Sequence, residues 1–198
     1  MNLRVIRFLA PLAGAVLLMA CSKAPTWRGQ DVSGVMPDLA FELTDSSGKR
    51  VRTESRLGQA TLLYFGFTNC PDICPTTLMT LTAIQDQLAV EGNAADHLQI
   101  LFVTVDPERD TPEVIGEFVK FHHPKMIGLT GSKDQIQNVS KSYKTYYKAQ
   151  KTNDDLYLVD HSTLTYLILP EYGFVEFFRR DKSAEEIAEI TACFIGNS

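Results

Sequence analysis

The sequence predicts an α/β domain with a central mixed sheet flanked by helices, and three observations carry that prediction. Two continuous apolar runs of strand length, Thr61 to Phe67 and Leu98 to Val105, read as strands buried on both faces. Between them Leu78, Leu81, Ile84 and Leu88 recur at spacings of three and four, the period of a helix with one buried side. Further on, Leu164 to Leu169 and Phe174 to Phe178 bracket the turn Pro170-Glu171-Tyr172-Gly173, so an antiparallel hairpin completes the sheet.

Taken in order, the chain opens with Arg4 and Arg7 ahead of an apolar stretch from Phe8 to Met19, the form of a signal peptide and short for a membrane span. Leu18-Met19-Ala20-Cys21 looks like a bacterial lipobox, so residues 1–20 are expected to be removed and Cys21 to carry lipid. This places the protein in the periplasm, held at a membrane. Residues 21–36 are polar and aperiodic and read as a tether, and residues 37–198 form one domain. Leu39 to Leu43 alternates like a strand, Thr44 to Gly48 is a turn cluster, and Lys49 to Thr53 returns, giving an N-terminal β-hairpin.

Thr61–Phe67, a helix over Thr76–Val90, and Leu98–Val105 make a βαβ unit with a right-handed crossover. Asp110 or Thr111 caps the next helix, with Pro112 at its first position. Met126 to Leu129 is a short strand, and Ser132 caps a helix through Ile136, Val139 and Tyr143. Tyr146 to Asp155 is polar, ends in the turn Asn153-Asp154-Asp155, and leads through Leu156–Val159 to Asp160-His161-Ser162. Ser183 caps the last helix. Helices between parallel strands, then a closing hairpin and helix, give a thioredoxin-like architecture. In open α/β sheets the working site lies at the carboxyl ends of the strands.

The chain of 198 residues, 44% hydrophobic and 22% charged, suits one domain with a core. A formal net charge of −5 and no basic run argue against a nucleic-acid partner.

Cys70 and Cys74 fall at the carboxyl end of the first buried strand, where the helix begins. Pro75 suits a first helical turn, in which its missing N–H costs nothing. The positive end of a helix stabilises thiolate, the form that binds metals and exchanges disulfides. Three residues between the sulfurs permit a disulfide or a shared metal ion, and spacing alone leaves redox chemistry and metal binding open. Cys193, in the pattern of the final helix, reads as a small buried hydrophobe.

Of the four histidines, His97 precedes a strand, and His122 and His123 end a helix beside Pro124. His161 differs, because its stretch must pass close to the thiols in this architecture. Two thiolates and an imidazole form a soft, low-coordinate set suited to copper and also to zinc; zinc would normally recruit a fourth ligand or water. Asp72 and Asp160 are candidates to orient the imidazole or tune the loop, and equally candidates for turn or cap duty.

Phe65-Gly66-Phe67-Thr68-Asn69-Cys70-Pro71-Asp72-Ile73-Cys74-Pro75 resembles the signature of the Sco/SenC copper-chaperone family. Val103 to Pro112 and Asp160-His161-Ser162 match its other two blocks in the same order. The resemblance implies a thioredoxin-like fold in which Cys70, Cys74 and His161 ligate copper. It also implies a role in assembling the binuclear copper centre of cytochrome c oxidase, as copper donor, thiol reductant or both, with the subunit bearing that centre, or another periplasmic copper client, as partner.

The competing function is a periplasmic thiol–disulfide oxidoreductase that cycles Cys70 and Cys74, which would need an electron source in an oxidising compartment. A third is a structural lipoprotein whose thiols staple a loop.

Overall fold

The computed structural model describes residues 40–56, 58–90, 93–150, 157–170 and 172–195. The signal-peptide stretch, Cys21, the tether and the Asn153-Asp154-Asp155 turn lie outside them. Among the described residues no helix is long and apolar enough to cross a membrane.

The elements are strands β1 (Glu42–Asp45), β2 (Arg50–Arg52), β3 (Ala60–Gly66), β4 (Leu98–Thr104), β5 (Ile127–Thr130), β6 (Tyr147–Gln150), β7 (Leu158–His161), β8 (Thr165–Leu169) and β9 (Gly173–Phe178). The helices are α1 (Ile73–Val90), α2 (Pro112–His122), α3 (Lys133–Ser142) and α4 (Ala184–Ile195). Seven strands form one mixed sheet in the order β2-β1-β5-β4-β3-β8-β9, and β6 and β7 form a separate two-stranded ribbon.

β3, β4 and β5 run parallel, and every residue of β3 and β4 is buried, as their unbroken apolar sequences predict. β8 joins β3 antiparallel and pairs in turn with β9, while the N-terminal hairpin docks on β5 through Thr44–Thr130 and Asp45–Leu129. Successive side chains of β3 point to opposite faces. Tyr64 meets Phe102, which meets Phe118 of α2; Phe65 meets Tyr166 and Tyr143, the residue that ends α3. Both faces of the sheet are thus covered by helices.

Three local expectations change. The first helix begins at Ile73 rather than Thr76, so Cys74 lies within its opening turn; Thr76 donates both its amide and its hydroxyl to the Asp72 carbonyl. Thr111, not Asp110, caps α2 by accepting the Val114 amide, while Asp110 is fully buried. The polar stretch after Tyr146 contains strand β6, which pairs with β7 from Tyr147–His161 to Gln150–Leu158. Its composition hides it, because only Tyr147 and Ala149 turn inward, and both only partly. Ser132 and Ser183 cap α3 and α4 as expected, each in reciprocal hydrogen bonds with a side chain three residues on.

Candidate metal centre

β3 ends at Gly66, the chain turns through Thr68 and Asn69, and α1 starts three residues after Cys70. The loop is folded tightly enough for the Cys74 amide to donate to the Cys70 sulfur at 3.3 Å. A backbone N–H that would otherwise go unpaired at a helix start is thereby spent on sulfur. His161 is the last residue of β7 and reaches the same point from the far side, with Nε2 3.4 Å from the Cys74 sulfur. The two sulfurs and an imidazole nitrogen all lie within 4.8 Å of one another. Among the described residues no other group of His, Cys, Asp or Glu is placed to hold a metal ion.

Burial grades the three donors. Cys74 is fully buried, whereas Cys70 and His161 are half-buried, so the set has a floor and an open side. The two cysteines stand as separate thiols. The hydrogen bond from the Cys74 thiol holds Cys70 in its thiolate form, down to about 4; burial opposes this, and the amides of Cys74 and Asp72 assist it. Cys74 moves the other way, because its proton is pinned by the bond to Cys70 and its site is buried. One thiolate and one thiol therefore share a proton at the start of a helix.

The imidazole is fixed by its second nitrogen. Nδ1 lies 2.9 Å from the Ser162 carbonyl, which can only accept, so Nδ1 carries the proton and the Nε2 lone pair faces the sulfurs. Phe67 and Tyr64 present their rings at steep angles to the imidazole, with centroids at 5.7 and 6.2 Å. The Tyr64 hydroxyl reaches the Cys74 sulfur at 3.7 Å, and burial keeps that hydroxyl protonated.

The structure brings Cys70, Cys74 and His161 together. Asp72 is exposed, and it serves the site through its backbone amide rather than through its carboxylate. The Asp160 carboxylate accepts from Gln150 on the neighbouring strand, and alternation along β7 turns it away from the face of His161. The imidazole is oriented by the Ser162 carbonyl instead, which no residue type in the sequence announces. His97 is exposed, and His122 and His123 lie at the end of α2, with His122 against Phe118 and Phe121. Cys193 is half-buried in α4.

Sequence reasoning missed Tyr64 and Gly66 as parts of the site. The alternation of β3 carried a signal for Tyr64, since it shares a face with Gly66, where the strand hands over to the thiol loop. Two soft sulfur donors and one nitrogen fit a soft ion such as Cu(I), with room on the Cys70 and His161 side for a further ligand.

A family model described as SCO1/SenC matches residues 35–196. The mitochondrial protein SCO1 homolog 1 of Arabidopsis thaliana is 44% identical over 149 residues, which make up 75% of this chain and 44% of that protein. A SCO2-like protein of Rickettsia prowazekii is 45% identical over 152 residues, 76% of this chain and 73% of its own length. The chain thus spans less than half the length of the plant relative. The crystal structure of Arabidopsis thaliana ScoI with copper bound superposes with a TM-score of 0.74 at 41% identity, covering 81% of this chain and 99% of that one.

Proposed function

The chain belongs to the SCO1/SenC family, and from that premise we propose that it carries one copper ion on Cys70, Cys74 and His161 and passes it to the copper centre of cytochrome c oxidase. The observation that carries this reading is the convergence of two sulfurs and one correctly tautomerised imidazole within 4.8 Å. The copper-bound plant relative supports the choice of metal, and the naming of Sco proteins as cytochrome c oxidase assembly proteins supports the choice of client.

Copper is the cargo. Cys70 offers a thiolate from the outset, and loading releases the Cys74 proton. His161 offers Nε2 without losing a proton. Cys74 forms the floor, while the open side admits a client thiol or imidazole, so the ion can leave by ligand exchange without the domain unfolding. The purified, reduced chain should bind one copper ion and show thiolate-to-copper charge transfer. His161→Ala should weaken binding while both sulfurs remain ligands. Equal copper affinity in that variant would reject the three-ligand site.

A second reading is favoured by the thiolate character of Cys70. As a thiol–disulfide oxidoreductase, Cys70 sulfur attacks a client disulfide and forms a mixed disulfide. Cys74 sulfur then displaces the client, which leaves with two reduced sulfurs while a Cys70–Cys74 disulfide forms. Reduction of an oxidised client by the metal-free chain, abolished by Cys74→Ser, would favour it.

The periplasmic, membrane-anchored placement through Cys21, with residues 1–20 removed and 21–36 as tether, belongs to the same proposal. Mass spectrometry of the mature N-terminus decides it, since a lipidated Cys21 is expected and an unmodified Cys21 would refute it.

A further inference from the structure

We propose that Arg109 is a positioning residue that sets where His161 stands relative to the two sulfurs, an inference that deepens the copper-site reading. The segment after β4 holds both arms of the site at once. On the thiol arm, the buried Asp110 carboxylate accepts the Thr68 amide at 3.1 Å and the Thr68 hydroxyl at 2.6 Å, two residues before Cys70. It also accepts the Thr104 hydroxyl at 2.6 Å, which ties the arm to the end of β4.

On the histidine arm, the Arg109 guanidinium lies 3.7 Å above the ring of Tyr157, immediately before β7. It also lies 5.9 Å from the ring of Phe67, the residue packed edge-on against His161. Asp106, 4% exposed, pairs with Arg109 and accepts the Tyr157 hydroxyl at 2.7 Å. One carboxylate thus holds both the cation and the ring on which it rests. Among the described residues, Nη2 of Arg109 is buried and has no hydrogen-bond partner. The guanidinium is therefore placed for ring contact rather than for its full set of hydrogen bonds, and the two ring faces offset part of that loss.

The ribbon that carries His161 needs such a hold. Among the described residues β6 and β7 pair only with each other and are not hydrogen-bonded into the seven-stranded sheet, and a two-stranded ribbon alone is marginally stable. Arg109, wedged between Phe67 of the thiol arm and Tyr157 of the histidine arm, registers one arm against the other.

The test uses the full chain with Arg109→Met and Arg109→Lys. In the metal-free state, imidazole NMR signals of His161 are expected to shift and broaden in Arg109→Met. Arg109→Lys should not restore them, because an ammonium keeps the charge but lacks the flat stacking surface. With copper alone as ligand, affinity should fall by about 10–100-fold, with a spectrum approaching that of His161→Ala and both sulfurs still ligated. A folded Arg109→Met variant with parental His161 signals would overturn the proposal, as would full rescue by lysine. Should Arg109→Met not fold, Tyr157→Leu and Tyr157→Phe decide it: loss of the ring must perturb His161 more than loss of the hydroxyl, and equal effects would overturn it. If the parent chain binds no copper, the copper-site reading fails while the metal-free NMR comparison still decides the role of Arg109.

Discussion

A β-carbon added to Gly66 would stand 2.9 Å from the Cys74 sulfur, closer than such contacts occur, and 2.8 Å from the Phe102 ring. The missing side chain at the end of β3 is what leaves room for the buried donor. The Tyr64 ring would lie 3.0 Å from the same added carbon, so a second core ring would also have to give. Gly66→Ala is therefore expected to cost about 1–3 kcal/mol through overpacking and to weaken copper binding together with stability. Urea denaturation and a copper titration of the same variant measure both, and a variant with parental stability and affinity would contradict the packing argument.

The proton shared by the thiols predicts a pH signature. Cys70 is depressed to about 4, well below an ordinary thiol near 8.5. A depressed acid contributes stability that is full above its unfolded value and is lost as pH falls through its folded value. The metal-free protein should therefore lose stability between roughly pH 8 and pH 4, and Cys70→Ser should flatten that slope. Cys74, raised instead, contributes to a slope only above the ordinary thiol range. Alkylation by iodoacetamide gives a second measure: Cys70 should react near pH 6, where an ordinary thiol is nearly inert. Equal rates at pH 6 for Cys70 in the folded and the denatured chain would remove the thiolate assignment.

Both functional readings need reduced sulfurs, which links them in one measurement. Closing the Cys70–Cys74 disulfide removes two of the three donors and leaves a lone imidazole. The oxidised chain is expected to retain no tightly held copper, and a dithiol reductant should restore binding. Undiminished affinity after oxidation would mean that the metal sits elsewhere.

Much of this arrangement is legible in the sequence. Continuous apolar runs announced β3 and β4 because both faces of these strands are covered, and the spacing of Leu78, Leu81, Ile84 and Leu88 announced α1 because one face is buried. Cys70, Cys74 and His161 could be named because residue chemistry and chain order coincide at the carboxyl edge of the sheet. β6 was not legible, since Tyr147-Lys148-Ala149-Gln150 is defined by its partner strand rather than by its own hydrophobicity. The orienter of His161 was hidden for another reason: the Ser162 carbonyl is backbone, which any residue would supply. Asp160 is one of two carboxylates whose chemistry would suit that role, yet strand alternation turns it to the Gln150 side. In the sequence Asp110 fits a helix cap, and its burial depends on Thr68, 42 residues away, folding back over it.

That burial yields the last prediction. Asp110 is fully buried and accepts from the Thr68 amide, the Thr68 hydroxyl and the Thr104 hydroxyl, while Thr130 donates to its carbonyl. Removing the carboxylate in Asp110→Ala strands a backbone amide two residues from Cys70, at a cost of about 1–3 kcal/mol. Asp110→Asn keeps one oxygen for the Thr68 amide and should lose less. Burial raises the Asp110 carboxyl above the ordinary range despite these bonds. A raised acid favours the folded state below its unfolded value and loses that contribution as pH rises through the folded value. In the metal-free chain Asp110 therefore opposes the Cys70 contribution as pH rises from about 4, and Asp110→Asn should steepen the parent's net gain in stability there. Denaturant melts of parent, Asn and Ala variants across that range separate the two effects. An Ala variant as stable as the Asn variant would show that the Thr68 amide finds another acceptor, and that Asp110 does not anchor the thiol arm.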